Sequence, residues 1–148
     1  MKHYTRENFQ PTHSVGFHLN RARNTLLMEM DAALRPLDIT GQQMGILLAL
    51  MRGAASTPLE ISRALGIDTG LMTRMLDKLE NKGLLQRQRS EEDRRVVHLL
   101  LTDKGRSVAG TIPEIAPQVL NHRLRHFSPE EFREFLRLLQ KFTDGAAG

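Results

Sequence analysis

Between Thr57 and Gly83 the chain has room for two short helices and a tight turn, and this restricts its fold more than any other feature. Thr57-Pro58-Leu59-Glu60 offers a capping hydroxyl, a proline where its missing N–H costs nothing, and a glutamate spaced to close a capping box. Gly66 permits the left-handed backbone of the turn, Asp68 caps the next helix, and Gly83 ends it. Ile61, Leu65, Ile67, Met72 and Met75 fall where two steeply crossing helices share a small core. Ser62 is small enough for the close crossing. After Gly83 the pattern changes. Residues 84–89 and 96–101 read as extended runs around the polar tip Ser90-Glu91-Glu92-Asp93-Arg94-Arg95.

On either side the period is helical. An apolar stripe runs from Val15 to Leu34 and stops before Pro36. Thr40 and Gln43 open a second helix that carries Met44, Ile46, Leu47, Leu48, Leu50 and Met51 toward Gly53. Thr102 caps a long helix reaching about Arg125, in which Pro113 and Pro117 predict a bend or a local break. Ser128-Pro129-Glu130-Glu131 starts a last helix through about Phe142, and the tail 145–148 is expected to fray. The reading is a mainly α chain with a small β-hairpin wing, a winged helix-turn-helix lobe with helical arms. With no repeat and no long linker, residues 1–148 read as one domain, its lobe spanning 37–105. The flanking helices over 10–35 and 106–143 carry Ile112, Ile115, Val119, Leu120, Phe127, Phe132, Phe135, Leu136 and Phe142. That is more apolar surface than a small lobe needs, which points to dimerisation.

The polar face of the helix after Asp68 carries Thr69, Gly70, Thr73, Arg74, Asp77 and Lys78. Small residues at its start allow close approach to a groove, and Arg74 suits a guanine edge or a phosphate. On the hairpin, Arg87, Arg89, Arg94 and Arg95 cluster, and Thr57 joins them as a further DNA-contact candidate. Residues two apart on an extended segment share a side, so Asp93 is placed to brace Arg95. A braced arginine on a thin wing suits a narrow minor groove. Taken singly, each stretch also reads as an ordinary solvated face. A net charge of +4 and a pI near 10.0 agree with an anionic partner without identifying it. The chain lacks cysteine, a glycine-rich phosphate loop and a Gly-x-Ser-x-Gly elbow, so no enzyme is expected, nor any cofactor. His122 and His126 are spaced i, i+4 without other ligands nearby, too little for a metal site. No apolar run approaches a membrane span, and the first residues lack the apolar segment of a secretory signal.

Residues 71–85, Asp93-Arg94-Arg95 and Leu101-Thr102-Asp103-Lys104-Gly105 resemble the MarR family of bacterial regulators, most specifically over 39–105. The resemblance implies a cytoplasmic, nucleoid-associated homodimer whose two lobes read a pseudopalindromic double-stranded operator, most simply as a repressor. It also implies that Asp93 and Arg95 form the wing motif and that Thr69, Gly70, Thr73 and Arg74 contact the duplex. Relatives of the efflux and aromatic-catabolism type are released from DNA by small aromatic acids or phenols. Phe17, His18, Arg21 and Asn24 share a helical face, and Met44, Leu47 and Leu48 offer an apolar wall for such an effector. The same residues also fit plain core and surface roles. A constitutive or metal-responsive regulator, or a winged-helix interaction adaptor, stays open as the alternative. Ser62, where the family often has alanine, and the two prolines are the departures.

Overall fold

Six side chains start six helices. Ser14, Thr40, Thr57, Asp68, Thr102 and Ser128 each accept the backbone N–H three residues on, at 3.0–3.2 Å. A cap of this kind contributes about 1 kcal/mol and sets the boundary locally. The computed structural model describes residues 1–53 and 55–145. Its elements are α1 (Val15–Leu34), α2 (Gly41–Met51), α3 (Pro58–Leu65), α4 (Thr69–Asn81), β1 (Leu85–Arg89), β2 (Val97–Leu101), α5 (Asp103–Leu124) and α6 (Pro129–Asp144). The capping boxes at Thr40/Gln43 and Ser128/Glu131 are complete. At Thr57 the box stays open, because the threonine hydroxyl donates to the Glu60 carboxylate at 2.8 Å. Of the tail expected to fray, residues 146–148 lie outside the described residues. No described helix is long and apolar enough to cross a membrane.

The lobe is built on α2, α3 and α4. Ile46, Leu47, Ile61, Met72, Leu76 and Leu79 are buried together with Leu84, Leu85 and Leu99 from the hairpin base, while Leu65 and Ile67 pack at the edge. Each such side chain contributes roughly 1.5–3 kcal/mol on burial. Ser62 holds the turn directly: its hydroxyl donates to the Ile67 carbonyl, and the Ile67 N–H returns to Ser62 O at 3.0 Å. An alanine there leaves this link unmade.

The hairpin is antiparallel, with Leu85 opposite Leu101, Arg87 opposite Leu99 and Arg89 opposite Val97. Each strand begins one residue later than expected. The Leu84 N–H is taken by Leu79 O and the Gly83 N–H by Glu80 O, the paired bonds that close α4 with Gly83 at φ 73°. The Val96 N–H is likewise spent inside the wing tip, on Asp93 O. A further link fastens the wing root to the entry of α3, where the Leu99 N–H donates to Ser56 O at 2.6 Å.

Of the bend or local break expected at Pro113 and Pro117, the break does not occur: the long arm α5 is continuous from Asp103 to Leu124. Both prolines lie on its exposed side, while Ile112 and Ala116 beside them are buried and pin the helix to the lobe. Packing therefore outweighs the two missing N–H groups. Arg123 of α5 donates to Glu29 of α1, joining the arms. By contrast, α6 buries none of its residues; Phe132, Phe135, Leu136, Leu138 and Phe142 stand 41–61% exposed.

The start of α5 is seated on the α4–β1 corner. The Thr102 N–H and hydroxyl donate to the carbonyls of Leu84 and Gly83 at 3.1 and 2.6 Å, and Lys104 Nζ donates to Lys82 O at 2.8 Å. A Cβ on residue 105 would stand 1.9 Å from the Leu84 carbonyl oxygen. Gly105→Ala is therefore expected to destabilise the chain by about 1–3 kcal/mol, the range for overpacking, as measured by urea unfolding. A variant as stable as the parent would show that this seat is not close-packed.

Candidate nucleic-acid interface

Because Met72, Met75, Leu76 and Leu79 point α4 into the lobe, its opposite face is fixed outward. Thr69, Gly70, Thr73, Arg74, Asp77 and Lys78 are all exposed there. The Thr73 hydroxyl donates to Thr69 O at 2.9 Å, one turn back along the helix. Arg74 lies along the bare Gly70 backbone: its Nη1 is 4.0 Å from where a Cβ at 70 would stand. The tighter neighbour is the capping Asp68 Oδ1, 3.2 Å from the same point, so a side chain at 70 would crowd the α4 cap.

The wing tip is folded around Ser90. Its Oγ accepts the N–H groups of Glu92 and Asp93 at 3.2 and 3.3 Å, and its own N–H donates to Val96 O at 2.9 Å. This turn presents Asp93 to Arg95. The aspartate accepts from the Arg95 N–H at 3.0 Å, from Nε at 3.1 Å and from Nη2 at 3.3 Å. The Arg95 side chain is nonetheless 90% exposed, so it is aimed while staying in solvent. The Arg95 guanidinium, and then its backbone N–H, hold the Asp93 carboxyl below the ordinary aspartate range.

The other candidates divide. Among the described residues, Arg74, Lys78, Arg89 and Arg94 have no carboxylate within 4.0 Å. Arg87 does: its guanidinium turns inward and donates to Asp77 of α4 at 2.8 Å. Thr57 is half-buried, and its hydroxyl is occupied as the α3 cap. Sequence reasoning gave no role to Ser90, Ser56 or Glu80 and placed Asp77 on the α4 face without its partner. Ser90 organises the tip, Ser56 ties the wing root to α3, and Asp77 with Glu80 receives Arg87. The Ser90-x-x-Asp93 spacing was the one available signal for the first of these.

The candidate effector residues differ in exposure. Phe17, His18, Arg21 and Asn24 lie on the exposed side of α1, with the Phe17 and His18 rings edge to face at 5.5 Å. Met44 and Leu48 are half-buried. Leu47 is completely buried in the lobe core, so it does not reach solvent or anything bound from it. The physical reason is helix phase, since α2 turns Ile46 and Leu47 inward together.

A profile of the MarR family matches residues 37–96. The Multiple antibiotic resistance protein MarR of Escherichia coli (strain K12) is 33% identical over 124 residues, which is 83% of this chain and 84% of that protein. The crystal structure of a mutant E. coli MarR complexed with operator DNA matches at a TM-score of 0.77 with 29% identity, over 86% of this chain and 92% of that one. A third likeness is to BpsR of Bordetella bronchiseptica, a structure concerned with regulation of DNA binding by 6-hydroxynicotinic acid. It has a TM-score of 0.81 at 23% identity, over 92% of this chain and 97% of that one, and at this identity it speaks for the fold.

The Asp93 brace has a pH signature. With its folded-state pKa depressed, the carboxylate's contribution is present above the ordinary aspartate value and is lost as pH falls through the lower folded value. Carboxyl titration by NMR is expected to give Asp93 a midpoint below about 3.9, moving up in Arg95→Ala. A midpoint at or above that value would show that the two side chains do not pair in solution.

Proposed function

The chain belongs to the MarR family of DNA-binding transcription regulators, and on that premise we propose that it is a homodimeric repressor whose α4 and wing grip a pseudopalindromic operator. Members of the family regulate transcription and are not enzymes. The observation that carries the reading is the pairing of two outward cationic elements. Arg74 and Lys78 on α4, and Arg95 with Arg89 and Arg94 on the wing, stand in solvent on elements fixed to one core. Helix α4, with small residues at its start, suits the major groove, and the thin wing suits the minor groove. In this reading Gly70 lets α4 approach, Thr69 and Thr73 contact phosphate or a thymine methyl, and Asp93 aims Arg95.

Dimerisation is supported by α6, which is amphipathic and shows its apolar side to solvent in the isolated chain. A second copy covers that surface with the same residues under two-fold symmetry. The lobe then corresponds to residues 37–105 and the dimer arms to 10–35 and 106–143. The protein would act in the bacterial cytoplasm, on the nucleoid.

Release by a small aromatic acid or phenol is the finer part of the proposal. It rests on the exposed Phe17, His18, Arg21 and Asn24 with half-buried Met44 and Leu48 beyond, and on the aromatic acid associated with BpsR. Leu47 drops out of the set because it is core.

Arg95→Ala and Arg74→Ala are each expected to weaken binding to an operator-containing duplex at least tenfold without unfolding the dimer, in a gel-shift assay. Wild-type affinity in both would remove the assigned surface. Affinity should also fall about 10³-fold between roughly 50 and 200 mM salt. Across a panel of aromatic carboxylates, an effector is expected to raise the melting temperature and lower DNA affinity together, as linkage requires. A panel in which no acid does either would end the effector reading and leave the DNA reading standing.

A further inference from the structure

Arg87 differs from the other wing arginines in what it meets: Arg89, two residues on, leaves the same side of β1 but has no carboxylate within 4.0 Å among the described residues. The register sets it opposite Leu99, which is 2% exposed, so its side chain leaves the inner face of the hairpin toward α4. There Nη2 donates to Asp77 Oδ1 at 2.8 Å, and Nη1 lies 3.8 Å from Glu80 Oε1. The guanidinium spans two carboxylates one helical turn apart. Asp77 is conspicuous for another reason: it sits between Arg74 and Lys78 on the face assigned to the duplex, where a free carboxylate repels phosphate. Its charge is instead spent on the wing.

We propose that Arg87 is a positioning residue for DNA recognition and not a phosphate contact. Clamped between Asp77 and Glu80, it sets the angle of the wing against α4 so that Arg95 and Arg74 meet one duplex together. This rests on the reading of α4 and the wing as the duplex-contacting surface.

The geometry explains why one clamp matters. Below Arg87 the wing is held by buried Leu85, Leu99 and Leu101 and by the Ser56–Leu99 backbone bond. Beyond it, among the described residues, no ion pair links the wing to α4, and Arg89 has no acidic partner. From Arg87 to the tip at Glu91 is about four residues, the first two within β1, or at most roughly 13 Å. A tilt of about 10° at the clamp therefore moves the tip by roughly 2 Å, well beyond the few tenths of an ångström that a hydrogen bond tolerates. The clamp also keeps both carboxylates facing a cation while the duplex approaches.

The test uses the full-length protein and a duplex that it selects from a random-sequence library. Arg87→Gln and Asp77→Asn are each expected to weaken binding about tenfold, and the double variant to bind no worse than either, because both remove the same clamp. The slope of log affinity against log salt should match the parent, as no phosphate contact has been lost. Tighter binding by Asp77→Asn, or parental affinity in the double variant, overturns the proposal, since Asp77 would then act only by repulsion. A slope reduced by about 1 for each lost contact in Arg87→Gln overturns it as well. Should Arg87→Gln melt far below the parent, Asp77→Asn and Glu80→Gln carry the test, since both lie outside the core. Arg95→Ala and Arg74→Ala are the controls. If both bind like the parent, the surface reading fails and takes the clamp with it; if they weaken binding while the clamp variants do not, the clamp alone is wrong.

Discussion

Three stretches of backbone meet at the carbonyl of Leu84, and the placement of the wing depends on that meeting. Helix α4 ends at Gly83 through two crossed backbone bonds, which turns the chain sharply into β1. The Thr102 N–H returns from the far strand to the same carbonyl, and Gly105 lets the first turn of α5 lie directly against it. Helix α4, the wing and α5 are thereby referred to one point. Any duplex held by α4 and the wing is coupled through this corner to the arm, and so to whatever binds or pairs with the arms.

Outside that corner, the surface is organised by charge more than by packing. Arginines that face a duplex gain from being exposed, yet a long exposed side chain is poorly aimed. Two devices resolve this. Asp93 collects three N–H groups of Arg95 and leaves its guanidinium in solvent. Arg87 stays at the surface but is partly covered by its two carboxylate partners, and links the elements that carry the other exposed arginines. The acidic residues Asp77, Glu80 and Asp93 thus orient the cations of this face. Exposed pairs of this kind add little to stability; what they define is direction.

Helix starts were legible because a cap is a local device. The hydroxyl or carboxylate and the N–H it satisfies are three residues apart, and nothing distant alters the pairing. The same holds for the glycine stops and for Asp93 with Arg95, two residues apart in the wing-tip turn. What went astray involves partners far along the chain. Pro113 and Pro117 suggested a break, which the burial of Ile112 and Ala116 against the lobe prevents. Leu47 was a reasonable pocket wall by helix spacing, but the phase of α2 against α3 and α4 places it in the core. Arg87 looked like one more basic residue on the wing. Its inward turn follows from the pairing with Leu99 and the reach to Asp77, ten residues back.

From its residues alone, then, the order of elements, the helix starts, the outward face of α4 and the braced arginine at the tip were determined. Each depends on interactions within about one turn of helix or one pair of strand positions, which any window of sequence contains. Only the tertiary structure decided that β2 is tied to the entry of α3, that α5 sits on the α4–β1 corner, and which arginine faces inward. Those depend on which buried surfaces meet. Burial is non-directional, so an apolar stripe says that a helix packs without saying against what.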